Sequence, residues 1–208
     1  MARFGRFAPL TGLIFVALAV AGGLAVGNTP NADAPIVKVT HYYSAHHNRI
    51  FAAGILWSYA AIFLAFFGAT LWSRIRGLGR PVLAGGTLVG TAVASFGLLG
   101  WGGVNFALGD IGNKSAVSSN AIQSLHVLTD GLFIPVAAGI EILLLGVALA
   151  AILGGILPRW LAWVALVLAI VQVTPIGFFA TLAFLIWTII VSIVMLLRPV
   201  AARVEAAP

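Results

Sequence analysis

Long apolar blocks separated by short polar stretches run along the chain, and this pattern predicts helices that cross a membrane. Each block is continuous over at least the roughly 17 residues that a membrane-spanning helix needs. A membrane β-barrel would instead show apolar residues at alternate positions. The sequence therefore predicts an all-α polytopic membrane protein, a six-helix transmembrane bundle that forms one domain over residues 1–208. The predicted spans are about residues 9–27, 50–73, 81–108, 122–157, 159–175 and 177–197.

The segment between the first two blocks, Asn28 to Arg49, is the most polar part of the chain. Asp33 followed by Pro35 is typical of the beginning of a helix, because Asp caps free N–H groups and Pro fits the first turn. We therefore expect a short helix on the outer membrane surface after the first span. The first block resembles a signal peptide in its position, but its length favours a retained helix.

Two prolines predict breaks in the later blocks. Pro175, followed by Gly177, is expected to divide the last apolar stretch into the fifth and sixth helices. Pro135 lacks the N–H that would bond to Gly131, so we predict a kink in the fourth helix. A helix over residues 122–157 would be about 54 Å long, whereas the hydrocarbon core is about 30 Å thick. The first part of the fourth helix is therefore expected to extend out of the membrane.

Composition and charge indicate a protein of a bacterial plasma membrane that is embedded in the lipid bilayer. Hydrophobic residues make up 62% of the chain and charged residues 8%, which excludes an ordinary soluble domain. The net charge of +6 does not indicate a nucleic-acid partner, because the Arg residues lie at the ends of the apolar blocks. The chain has no Cys, which excludes disulfides and thiolate metal sites.

The distribution of basic residues predicts that both termini are cytoplasmic, because Lys and Arg are enriched in cytoplasmic loops. The predicted inner ends carry Arg3, Arg6, Arg74, Arg76, Arg80, Arg159, Arg198 and Arg203, and the outer loops carry Lys38, Arg49 and Lys114.

Small residues follow one face of the third predicted helix, at Gly86, Gly90, Ala94 and Gly97. Small residues allow two helix backbones to approach closely within a membrane. This face is therefore predicted to contact another helix.

Polar groups on the fourth predicted helix form the main candidate site. Gln123, His126, Asp130 and Glu141 return to nearly the same helical face. The first three are expected at or above the outer membrane boundary, and Glu141 is expected inside the membrane. Charged groups at such a depth usually face other helices or a hydrated cavity. With Asn105 of the third helix, these residues are the candidate ligand-binding set.

Glu141 is expected to be neutral and hydrogen-bonded, because no Lys or Arg lies in the middle of a predicted span. Its expected partners are Gln172 and Thr174 on the fifth helix, or Asn105 on the third. A packing role and a proton- or ligand-binding role both remain open for this residue.

The histidines predicted on the outer side suggest a second interpretation, in which the candidate site binds a metal ion. His126 and Asp130 lie one helical turn apart, but zinc needs three or four ligands. His41, His46 and His47 of the polar segment could supply the others from the same side of the membrane. Adjacent His46 and His47 cannot both face the same way on a helix, so at most two of the three would converge. The alternatives are a hydrogen-bonded pair that fixes helix packing and a solvated surface helix.

The last third of the chain resembles a family of bacterial six-helix membrane proteins known only as a domain of unknown function. The resemblance depends on the segments LPRWLAW, TPIGF and FLIWTII, which begin at Leu157, Thr174 and Phe184. It implies the fold and the membrane location, and it implies no catalytic residue.

Three functions fit the sequence. The favoured one is binding of a small or lipid-like ligand, or an ion, in an outward-opening polar pocket on the fourth helix. The second is a metal-dependent membrane hydrolase at the outer leaflet, with zinc as the one candidate cofactor. The third is a structural or assembly role, in which the partner is a second copy or another membrane protein.

Overall fold

The computed structural model describes residues 7–197, and within this range the chain is helical with no strand. The predicted inner residues Arg3, Arg6, Arg198 and Arg203 lie outside the described range. The helices are α1 Leu10–Val26, α2 Ile36–Arg76, α3 Pro81–Ile111, α4 Ser119–Gly131, α5 Phe133–Gly154, α6 Arg159–Gln172 and α7 Gly177–Leu197.

Four helical stretches among the described residues are long and apolar enough to cross a membrane. They are α2, α3, the α4–α5 stretch Ser119–Gly154, and α7. Two further apolar helices are shorter, with 17 residues in α1 and 14 in α6. The prediction of an all-helical fold is thereby confirmed for the described residues, and the four long apolar helices fit an integral membrane protein.

The predicted separate surface helix does not exist, because α2 continues without a break over 41 residues, Ile36–Arg76. Pro35 precedes it with an extended backbone (φ −54°, ψ 138°), so the predicted beginning of the helix is nearly right. No Gly or Pro follows before Ile50 to end the helix. The part of the polar segment from Ile36 to Arg49 is therefore the beginning of a helix about 62 Å long.

The fourth predicted helix is divided at Leu132 into α4 and α5, beside Asp130. The position agrees with the predicted kink, since Pro135 cannot donate to the carbonyl of Gly131 and its ring crowds that carbonyl. The last apolar stretch also divides as predicted, but α6 ends at Gln172, three residues before Pro175.

Side-chain bonds bring several helix ends together at one end of the bundle. Arg74 of α2 donates to the carbonyl oxygen of Met195 near the end of α7, at 3.2 Å. Arg80, just before α3, donates to the carbonyl oxygen of Leu153 near the end of α5, at 3.0 Å. We call this the basic end, and its described Arg residues are Arg74, Arg76, Arg80 and Arg159.

Close backbone packing places α3 between α2 and α5. A Cβ on Gly90 would overlap the backbone of Leu143, and one on Gly97 would lie 2.7 Å from the backbone nitrogen of Val136. On the opposite face, a Cβ on Gly102 would lie 2.8 Å from the carbonyl oxygen of Gly54 in α2. The predicted small-residue contact is confirmed with α5 as the partner. The exception is the first residue of that strip, Gly86, which faces open space.

Candidate functional site at the polar end

The polar end of the bundle, opposite the basic end, contains the end of α1, residues 27–35, the first part of α2, and α4. His126 of α4 lies at its centre and is 2% exposed. Its Nδ1 lies 3.0 Å from the hydroxyl of Tyr43, and its Nε2 lies 3.4 Å from the carbonyl oxygen of Asn31. A carbonyl can only accept, so Nε2 carries a hydrogen. In the neutral ring Nδ1 then accepts from the Tyr43 hydroxyl.

Tyr43 lies before the apolar part of α2 and is 1% exposed. Its ring meets the His126 ring edge-on, with centroids 5.7 Å apart. Burial raises the pKa of the Tyr43 hydroxyl, and the nearby Tyr42 hydroxyl and Asp130 carboxylate raise it further. The hydroxyl therefore keeps its proton and remains a hydrogen-bond donor to His126.

The end of α1 and the segment after it are attached to the bundle by further side chains that donate to backbone carbonyls. Tyr42 donates to Val26 at 2.5 Å, and Gln123 donates to Ala32 at 3.3 Å. Arg49 reaches the carbonyl oxygen of Leu24 at 3.5 Å. These carbonyl oxygens accept no hydrogen bond within a helix, so the side chains satisfy them. The bonds also hold the end of α1 and the connecting segment against α2 and α4.

Two buried polar side-chain atoms on the helices that carry Tyr43 and His126 have no hydrogen-bond partner. They are Oγ1 of Thr40 and Oε1 of Gln123. Thr40 precedes Tyr43 by three residues and Gln123 precedes His126 by three, so each lies about one helical turn from the Tyr43–His126 bond. Buried polar groups are normally hydrogen-bonded, so these are the two described atoms on α2 and α4 that have capacity for a further hydrogen bond.

The predicted His126–Asp130 pair does not form. Both ring nitrogens of His126 bond to Tyr43 and Asn31, whereas the Asp130 side chain is exposed. The i, i+4 spacing places two residues on one face of a helix, but residues from other elements decide which hydrogen bonds form. Asp130 is the smallest of the three causes that raise the pKa of the Tyr43 hydroxyl, after burial and Tyr42.

The predicted metal ligands are not brought together as a set. Within residues 7–197, no three His, Asp or Glu side chains are arranged to hold a metal ion. Nδ1 of His46 bonds to the carbonyl oxygen of Tyr42 at 2.9 Å, and Nδ1 of His47 bonds to that of Ser44 at 3.1 Å. His41 is exposed. The continuous helix explains this arrangement, because His46 and His47 bond to carbonyls of their own helix.

The expected partners of Glu141 bond elsewhere. Asn105 donates to Trp101 of its own helix at 2.9 Å, and Gln172 donates to the hydroxyl of Thr181 on α7 at 2.9 Å. Thr174 donates to the carbonyl oxygen of a residue three positions before it, at 2.7 Å. Glu141 is half-buried on α5, and none of these three donors bonds to it among the described contacts.

Sequence reasoning missed the Tyr43 side chain and the Asn31 carbonyl. Val39, Tyr43 and Ile50 are buried at helical spacing on one face of α2, so periodicity through the polar segment would have placed Tyr43 inward. No local signal identifies the carbonyl of Asn31, since any residue carries one.

Comparison with known proteins adds no identification. No protein-family model matches the chain, and no curated protein or solved structure matches it significantly.

Proposed function

We propose that this chain is a non-enzymatic protein of a bacterial plasma membrane that binds a small uncharged ligand at its polar end. The observation that supports the proposal is the pair of buried atoms without partners, Oγ1 of Thr40 and Oε1 of Gln123, on the two helices that the Tyr43–His126 bond joins. A buried polar atom without a partner costs about 1–3 kcal/mol. A ligand that forms a hydrogen bond with each atom would remove this free-energy cost at both positions.

The chemistry of the two atoms defines the class of ligand. The Thr40 hydroxyl donates a hydrogen bond, and the amide oxygen of Gln123 accepts one. Neither group is charged, so the complementary ligand is neutral and carries both an acceptor and a donor, as a hydroxyl or an amide does. The bonds that hold residues 27–35 in place would keep the site formed before binding.

The ligand site belongs to a wider proposal about topology. We propose six spans, α1, α2, α3, α4–α5, α6 and α7, with both termini and the basic end in the cytoplasm and the polar end outside. The four Arg residues of the basic end support this orientation. In α1, 17 residues correspond to about the lower limit for a span. The resemblance to six-helix membrane proteins of unknown function stays part of this proposal.

Native mass spectrometry of the protein extracted from its own membrane tests ligand binding. The parent is expected to carry one small adduct, distinguished from lipid by its mass, and Thr40→Val and Gln123→Leu should lose it. Gln172→Leu is the matched control, because Gln172 is also buried with a free amide oxygen, but it lies on α6. A parent without an adduct, or an adduct retained by both site variants, would reject the proposal.

A structural role is the second candidate, and the bonds to the connecting segment favour it. Tyr42, Arg49, Gln123 and His126 each contact a carbonyl oxygen of the end of α1 or the loop after it. If the role is structural, substitution of these side chains lowers the stability of the protein, and no bound ligand is lost. The same mass spectra therefore separate the two candidates.

A further inference from the structure

A cavity at the basic end has a different chemistry from the polar end. It has a volume of about 250 Å³, is open to the outside between α5 and α6, and is lined by Ile152, Arg159 and Trp163. Arg159 and Trp163 are four residues apart and so lie on the same face of α6. One cavity thus combines a guanidinium group, an indole ring and an aliphatic side chain.

Charge around this cavity is of one sign. Arg159 is exposed, and Arg80 contacts the carbonyl oxygen of Leu153, the residue next to Ile152. The one ion pair among the described residues, Lys114–Asp110, lies at the end of α3, away from this cavity. Within residues 7–197, the basic end carries four Arg residues and no acidic side chain to neutralise them. The site therefore attracts an anion.

The side chains around the cavity are of the kinds that concentrate at a membrane interface. Trp160 and Trp163 at the beginning of α6 are each 55% exposed, and Trp side chains concentrate at the level of the lipid headgroups. An Arg side chain there extends its guanidinium towards the headgroups while its methylene groups remain on apolar surface. The anion that is present at this level in a bacterial membrane is a lipid phosphate.

We propose that the cavity binds the phosphate headgroup of an anionic phospholipid of the phosphatidylglycerol type. The Arg159 guanidinium bonds to the phosphate, for which its planar donors are well suited. Ile152 and Trp163 contact the glycerol and the upper part of an acyl chain. A zwitterionic lipid also has a phosphate, but its ammonium group is repelled by Arg159 and Arg80. This inference rests on the proposed topology in a bacterial plasma membrane and not on the proposed ligand at the polar end.

Fluorescence quenching in vesicles tests this lipid site with the full-length protein. The vesicles contain phosphatidylcholine and increasing fractions of brominated phosphatidylglycerol or brominated phosphatidylcholine. The signal of Trp163 is the difference between the parent and Trp163→Phe. Half-maximal quenching is expected at a mole fraction of phosphatidylglycerol about two- to fivefold lower than of phosphatidylcholine, the size expected for an exposed ion pair.

The Arg variants decide whether the preference belongs to this cavity. Arg159→Gln should remove the preference, and Arg159→Lys should keep part of it. Arg76→Gln is the matched control, because Arg76 lies at the same end but its guanidinium lies 5.2 Å from the Trp72 ring centroid. Equal quenching of the parent by both lipids, or an unchanged preference in Arg159→Gln, would overturn the proposal. Complete relief of quenching by millimolar inorganic phosphate would assign the site to a soluble anion and also overturn it.

Discussion

His126 illustrates how much of a site can be predicted at the scale of single residues. Its candidacy follows from the sequence, since His126 is one of the few ionisable residues on the fourth predicted helix. Its partners do not follow from the sequence. Helical spacing pointed to Asp130, but the buried ring bonds to Tyr43 on α2 and to the Asn31 carbonyl in the connecting segment. Both partners are distant along the chain, so only the packing of α2 against α4 brings them to the ring.

Removal of the Tyr43 hydroxyl should destabilise the protein. In Tyr43→Phe the buried Nδ1 of His126 loses its donor, and an unsatisfied buried group costs about 1–3 kcal/mol. Unfolding in detergent with increasing SDS should therefore occur at a lower SDS fraction than in the parent. Tyr59→Phe is the matched control, because Tyr59 is on the same helix but 55% exposed. Identical unfolding of Tyr43→Phe and the parent would show that the bond contributes nothing.

The elements are the scale at which the sequence is most informative. Continuous apolar blocks predict the helices, and Pro135 predicts the division between α4 and α5, because both depend on local chemistry. The polar segment was wrongly separated from the second span. Polarity indicates whether a helix lies in the membrane, but not where a helix ends, and nothing between Ile36 and Ile50 ends this one.

Helix packing within the bundle predicts that substitution of one glycine of α3 lowers stability, whereas substitution of another leaves it unchanged. In Gly90→Leu the added side chain would push α3 away from the backbone of α5, and overpacking of this kind costs about 1–3 kcal/mol. Its melting temperature in detergent should fall. Gly86→Leu is the control on the same helix, since a Cβ there meets nothing within 4 Å. If the two variants melt alike, close packing of α3 on α5 is not important for stability.

At the scale of the whole molecule, the two ends of the bundle differ in composition and in the ligands proposed for them. The polar end combines neutral hydrogen-bonding groups with a fixed connecting segment, and the basic end combines Arg and Trp side chains. The unequal distribution of basic residues between the two ends can be predicted from the sequence. The assembly of the polar site from α2, α4 and the segment between α1 and α2 is not, because it depends on contacts between distant residues. Both proposed sites require that the two ends lie on opposite sides of the membrane.

Labelling of single cysteines in intact cells tests this orientation directly. The chain has no cysteine of its own, so Ser118→Cys and Gly77→Cys each introduce one reactive thiol. Both positions are exposed, Ser118 before α4 at the polar end and Gly77 after α2 at the basic end. A membrane-impermeant thiol reagent should label Ser118→Cys in intact cells and should label Gly77→Cys only after the cells are permeabilised. Labelling of Gly77→Cys in intact cells, with Ser118→Cys protected, would contradict an outward-facing polar site and a cytoplasmic lipid site together.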